Sequence, residues 1–408
     1  MRSLYSLKST INKSRLSFRS LTTLFDSLIK PIALYGAPIW TPTMPILKHL
    51  AGLRPDTINA TKQSCLKKMC VLNCEKIHLH FLKWALGVNR KASNSAVWGE
   101  SGRYPLIIES INLTLKFVKR VQNMNDNSLV SLAFKEQKSL NLDWYRGIEP
   151  ILKLDKSFSS DHVTSYRMRT NKTQHPTTNI KPPKVNHILI HNGVAKPVPT
   201  QLIKPNKSYH FTVHHIIKSL KESFKKIWQA DISQSRKLEY FSLYKNEFRK
   251  ATYLDKVQNY HDRVSTTRLR TSSHRLQIEL GRRFKIPREL RHCSWCELSM
   301  GELVCESESH FLDHCDTNAK QRASLLVKLK QHITSFGIEP EQFHNDIGSI
   351  ISFDWLGTVG RHDDESAEHE CTEIIRRTAH FIGDCFNRRV KFLDSLAKFK
   401  RDGIIKTT

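Results

Sequence analysis

Cys293, Cys296, His310 and Cys315 fall at C-x2-C-x13-H-x4-C spacing. Two cysteines separated by two residues can hold one ion from a tight turn, and the His–Cys pair downstream can close a tetrahedron around it. Thiolate sulfur and imidazole nitrogen are the donors Zn²⁺ favours. A site filled by four protein ligands leaves no position for water or substrate, which makes it structural rather than catalytic. Zn²⁺ is therefore the expected cofactor, bracing a short stretch too poor in apolar residues to form a core. His292, Cys305 and His314 are rival donors in the same stretch. Glu306 and Glu308 are expected either to take a proton from the ligand imidazole or to pair with a nearby arginine. Phe311 and Leu312 are expected to anchor the segment against a neighbouring helix.

The densest basic stretch lies directly before this array. Residues 263–291 hold nine cations: Arg263, Arg268, Arg270, Arg275, Arg282, Arg283, Lys285, Arg288 and Arg291, opposed after Asp262 only by Glu279 and Glu289. The guanidinium fork suits bidentate contact with phosphate, so the run reads as a surface that grips a nucleic-acid backbone. The alternative is a solvated helix face, or one that docks an acidic protein. Over the whole chain 65 Lys and Arg stand against 38 acids, a formal net charge of +27. An excess of that size points to a polyanionic partner, with RNA or DNA the expected one.

Other reactive clusters carry less. Cys65, Cys70 and Cys74 lie near His78 and His80, but their spread along a helical pattern reads as buried thiols and a packed histidine. Cys371 and Cys385 read as core residues. No Gly-rich phosphate loop and no Ser-His-Asp signature is present. Asp363 and Asp364 lack flanking strand residues that would hold paired carboxylates on Mg²⁺, and read as a solvated loop. The chain is thus expected to be non-catalytic, with no small-molecule substrate. Nine cysteines, an odd number, without a secretory signal argue for a reducing compartment, nucleus or cytoplasm. No apolar run approaches the ~20 residues that span a bilayer.

The elements that must position these groups are mainly helical. From Glu75, Ile77, Phe81, Trp84 and Val88 recur at helical spacing, with Gly87 at the expected end. Asn94 and Ser95 would cap a short helix over Ala96 to Glu100, which Gly102 stops. Pro105 would open a longer helix with a stripe of Ile108, Ile111, Leu115, Val118 and Val121. Prolines among Ser, Thr, Asn and Lys make residues 151–210 a linker, with a short strand around His187 to Ile190. Helical pattern resumes near Phe211, where Ile216, Ile217, Leu220, Phe224 and Ile227 share a face, and Phe241, Leu243 and Phe248 extend it. One or two more helices are expected over Ala319 to Phe336 and Ser366 to Phe399, separated by an irregular stretch. The expected organisation is a helical region at 1–150, the linker at 151–210, a basic helical region at 211–290, a zinc-stabilised subdomain at 291–322 and C-terminal helices at 323–408. Residues 1–25, basic and free of acids, also have the composition of a mitochondrial transit peptide.

Three stretches resemble the C-terminal part of the reverse transcriptases of non-LTR, LINE-type retrotransposons. They are Pro31-Ile-Ala-Leu-Tyr-Gly-Ala-Pro-Ile-Trp40; Phe81-Leu-Lys-Trp-Ala-Leu-Gly-Val-Asn89 with Gly99-Glu-Ser-Gly-Arg-Tyr-Pro-Leu106; and Leu269-Arg-Thr-Ser-Ser-His-Arg-Leu-Gln-Ile-Glu-Leu-Gly-Arg282 leading into the Cys/His array. The resemblance implies a helical thumb followed by a linker and a CCHC zinc knuckle, parts that hold RNA template and target DNA around a polymerase. It also implies that residues 1–30 fold as helix rather than serve as a leader. The sequence carries no aromatic-Ala-Asp-Asp motif, so the family's polymerase residues have no counterpart here. The resemblance then implies a truncated, degenerate or alternatively started copy that binds nucleic acid without polymerising it. The alternatives are a zinc-stabilised protein-interaction module, and a thumb whose missing polymerase half is supplied in trans.

Overall fold

In a computed structural model, described over residues 2–52, 61–155, 188–191, 194–197, 212–334 and 365–401, the protein is mainly helical. Its principal helices are α1 (Arg2–Thr10), α2 (Phe18–Leu24), α3 (Asn73–Ala85), α4 (Asn94–Ser101), α5 (Leu106–Gln122), α6 (Val213–Gln234), α7 (Tyr260–Arg270), α8 (Gln277–Arg283), α9 (Ser294–Met300), α10 (Ala319–Thr334) and α11 (Glu365–Arg401). Shorter helices connect them. Among the described residues no helix is long and apolar enough to cross a membrane.

The predicted apolar stripes become core. Ile108, Ile111, Leu115, Val118 and Val121 of α5 are buried, as are Ile216, Leu220, Phe224 and Ile227 of α6. The pattern fails at one point beyond α6. Phe241 is buried and Phe248 packs on Phe224 and Trp228, but Leu243 points to solvent, because the chain breaks after Gln234 into short helices that turn a different face inward. Most of the linker lies outside the described residues. Within it, β1 (Ile188–His191) pairs antiparallel with β2 (Val194–Pro197), which puts a hairpin where a single strand was expected. Asp363 and Asp364 also lie outside the described residues.

The helices before and after the linker share one hydrophobic core. Trp98 meets Phe224 edge-on, with ring centroids 5.6 Å apart, and Trp228 donates its indole N–H to the Ser95 carbonyl at 2.8 Å. Gly102 ends α4 in the left-handed region (φ +63), and any Cβ there would lie 2.3 Å from the Lys250 backbone nitrogen. Only glycine satisfies both demands. Arg2–Thr10 is helical and its Leu4 lies in the same core.

Two buried carboxylates organise this half. Glu75 accepts from the Trp98 indole N–H, from His78 and from the Leu106 backbone N–H, holding α3, α4 and the free N-terminus of α5 together. Glu100 pairs with Arg270 at 2.6 Å, both side chains at 1% exposure or less, beneath the Tyr244 and Tyr253 rings. A buried ion pair offers little net stability over an apolar pair, but removing one partner strands the other charge. Arg270→Ala is therefore expected to destabilise the fold by about 3–5 kcal/mol, read as a fall in urea midpoint. A substitution on a merely solvated face would change stability by less than about 0.5 kcal/mol and leave that midpoint nearly unmoved.

Candidate metal centre and the basic clefts beside it

The metal array is assembled by a short turn of backbone. His292 bridges Cys305 antiparallel, and Cys293 N–H donates to the Val304 carbonyl at 2.8 Å, so Cys293 stands at the mouth of a loop. α9 starts directly after it and carries Cys296 in its first turn. The second pair frames a single wide helical turn, His310–His314, closed by the Cys315 N–H on the His310 carbonyl.

The four ligand atoms lie within 4.8 Å of one another and all four residues are buried. Cys296 Sγ is 3.8 Å from Cys315 Sγ and 3.4 Å from His310 Nε2. A tetrahedral ion with metal–sulfur bonds of ~2.3 Å sets its sulfurs about 3.8 Å apart, so the donor set fits such an ion. Metal-free, the thiols must share protons. A hydrogen bond from Cys293 pulls Cys315 down to about 3, and its link to His310 adds to this. Cys293 is driven up by that same bond and by burial, and Cys296 rises to about 11 through burial and the Cys315 charge. A cation would take the place of the shared protons.

The rival donors are elsewhere. Cys305 lies outside the cluster, His292 bonds to the Glu289 carbonyl and His314 faces solvent near Ser309. Among the described residues no second such cluster forms: Cys65 and Cys74 are buried in the core, and Cys70 accepts from the Asn94 amide at 3.1 Å.

The two loop carboxylates brace arginine and histidine of the body, with no bond to the ligand imidazole. Glu306 receives both Nε and a terminal nitrogen of Arg389 at 2.6 Å, and its Oε2 also accepts the Gln277 N–H, capping α8. Glu308 accepts from His274 at 2.9 Å and Ser272 at 3.2 Å. Burial raises its pKa, but the His274 bond and charge outweigh this and hold it below the ordinary range. Phe311 packs on Phe386 of α11 and Leu312 is fully enclosed, as anchors should be. Trp295 stacks flat on Phe392 at 4.8 Å, with the Arg388 guanidinium over its ring. The long α11 thus clasps the metal loop along about two turns, from Phe386 to Phe392.

The nine expected phosphate-binding cations do not form one face. Arg263 and Arg270 belong to the interior. Arg263 donates to the carbonyls of Val257, Gln258 and Leu16, and Arg270 is held by Glu100. Polar α7 tolerates this burial because its groups are satisfied locally, Thr266 and Thr267 bonding back to the carbonyls of Asp262 and Arg263. Arg268, Arg275 and Arg283 line a cleft of about 790 Å³ between the Val88–Asn89 loop, the α7–α8 turn and α11. Arg282, Arg288 and Arg291 line a second cleft of about 580 Å³ together with Arg236 and Lys237. Lys285 is exposed and lines neither.

The clefts differ in free charge. In the smaller one Arg282 pairs with Glu279, Arg288 with Glu239, and Arg291 bonds to the Ile278 and Ile286 carbonyls. In the larger one Arg268 spends its Nε on the Gly87 carbonyl, while Arg275 and Arg283 make no ion pair or hydrogen bond among the described residues. Arg389 and Asn387 of α11, and Asn89, join this cleft from distant sequence positions. Local sequence gave no signal for them, since each lies far from the basic run. Gly383 permits the arrangement, because a Cβ there would fall 2.3 Å from Asp262 Oδ1 of α7.

Compared with protein-family models, curated proteins and solved structures, the chain matches none.

Metal at this site would bury three thiolates. Removing it with a strong chelator is expected to make three additional cysteines, Cys293, Cys296 and Cys315, open to iodoacetamide, counted by peptide mass spectrometry, with a loss of helical circular dichroism from α9. An unchanged thiol count after chelation would show that the four residues hold no ion.

Proposed function

We propose that this chain is a non-catalytic, zinc-stabilised module that binds RNA or DNA through its basic clefts. One observation carries the reading: Arg275 and Arg283, without internal partners, line an open cleft whose Arg389 is tied by a buried ion pair to the metal loop. Unpaired arginines are the groups able to exchange counterions for phosphate, whereas paired ones must first give up a partner. The Cys₃His donor set supports Zn²⁺ over harder cations, which prefer oxygen. The centre's role is to fix Glu306 and Glu308 and through them the arms of the cleft. The resemblance to LINE-type reverse transcriptases supports the same reading, with RNA template or target DNA as ligand.

Zinc-loaded protein is expected to bind labelled RNA or DNA at low salt and to release it steeply as salt rises. Replacing Arg275 and Arg283 together with Ala should flatten the slope of log affinity against log salt by roughly 1–2, read by fluorescence anisotropy. Replacing Arg282 and Arg288 should change it less. Absence of binding at low salt would end the reading.

One observation favours an added protein partner. Leu28, Ile32, Tyr35 and Ile39 are large apolar side chains at 51–87% exposure within one short stretch. Exposed apolar groups clustered in this way mark a docking surface more often than free solvent. The partner such a surface would serve, in the reading where the enzyme is completed in trans, is a polymerase half. Tyr35→Asp with Ile39→Asp should suppress self-association of the isolated chain in light scattering while leaving nucleic-acid affinity in place.

A further inference from the structure

The larger cleft has walls of two kinds. Arg268, Arg275 and Arg283 supply one, and Phe386, Val390 and Leu393 of α11 supply the other. Resting on the nucleic-acid reading above, we infer that this cleft takes a single strand, with phosphates along the arginines and a base turned against the α11 wall.

A duplex presents phosphates to a protein and keeps its bases stacked inside, so it would leave an apolar wall facing water. A single strand can offer both surfaces at once, and binding sites for single strands combine a cationic track with apolar or aromatic platforms for the bases. The dimensions agree. A volume of about 790 Å³ falls in the ~300–1,000 Å³ range of small-ligand sites. Such a volume encloses about one or two nucleotides, whereas a double helix could only lie across its mouth.

Polar groups on the α11 side suit a base edge rather than a phosphate. Asn387 is exposed on the lining with an amide that can donate and accept, the pairing group for an adenine edge. Asp394 is the only carboxylate on the lining, and it would repel a phosphate but accept from an exocyclic amine. Arg389 is 4% exposed and its charge is matched by Glu306, which takes its Nε and one terminal nitrogen at 2.6 Å, so it contributes less to the free charge of the cleft than Arg275 and Arg283 do. The charge is thus concentrated on the α7–α8 side, and the apolar and amide groups on α11. Val390 is 50% exposed, so its side chain is accessible to a ligand on this lining.

The test uses the full zinc-loaded chain and three labelled oligonucleotides of equal length: a single strand, its duplex, and an abasic strand with the same phosphates. Each is made in ribo and deoxyribo form to measure the share of the 2′-hydroxyl. The single strand is expected to bind at least about tenfold more tightly than the duplex or the abasic strand, a factor within the reach of one base contact. Val390→Ser with Leu393→Ser, and separately the exposed Asn387→Ala, should remove most of that preference and leave duplex binding unchanged. Zinc content and circular dichroism confirm that the variants fold. If single, abasic and double strands bind alike while Arg275→Ala with Arg283→Ala weakens all three, the base site is refuted and the nucleic-acid reading stands. If no strand binds at low salt, both fall.

Discussion

Glu306 holds three separate parts of the protein with one carboxylate. Both oxygens meet Arg389 of α11, Oε2 also caps α8 through Gln277, and its backbone N–H bonds to the Arg291 carbonyl at 2.8 Å. Glu306 is 3% exposed and Arg389 4%, so neither charge can fall back on water. Taking such a pair out of solvent costs several kcal/mol per ion, and only near-complete hydrogen bonding offsets this. The geometry therefore works as a register pin more than as a source of stability. The carboxylate meets α8 and α11 together only if the metal loop stands at one height. The cluster of Cys293, Cys296, His310 and Cys315 fixes that height on both flanks of Glu306.

The same device recurs before the linker. Glu75 fastens α3, α4 and α5, and Glu100 fastens α4 to α7 through Arg270. A chain with so large a positive excess has many cations that could repel one another during collapse. Burying a few acids, each against an arginine, a histidine or helix-terminal N–H groups, gives the core defined polar joints. It also uses up specific cations inside, and so decides which arginines remain for the surface.

That partition explains what was legible in the sequence and what was not. The clustering of Cys293, Cys296, His310 and Cys315 was legible because chelation demands side chains close in sequence, and thiols at that spacing have few other reasons to be there. The stripe of α5 was legible for a similar reason: helical burial repeats along the chain. Arg263 and Arg270 were misread as surface, since a polar segment such as α7 carries no apolar period. Its burial depends on Glu100 and on carbonyls as distant as Leu16. The α11 contribution to the larger cleft was invisible for the converse reason. Phe386, Asn387 and Arg389 belong to an ordinary amphipathic pattern, and only the close crossing at Gly383 brings them opposite Arg268 and Arg275.

The candidate metal centre and the larger cleft are separated in space but joined in mechanics. The four donor atoms converge on one another and all four residues are buried, so an ion held there would have no open position for a ligand. Its influence travels through Glu306 to Arg389 and α8, and through Glu308 to His274 at the turn that carries Arg275. Loss of the ion would free the loop, and the two carboxylates could then no longer hold both walls of the cleft at a fixed width. A surface that gripped phosphate by charge alone would tolerate that loosening, because Coulomb attraction varies slowly with distance at high dielectric. A cleft meeting phosphates on one side and a base on the other, as we propose for this one, would have much less tolerance. The buried ion pair of Glu306 with Arg389 and the Glu308–His274 contact brace the loop rigidly against α11 and the α7–α8 turn, which suits the second kind of site that we propose.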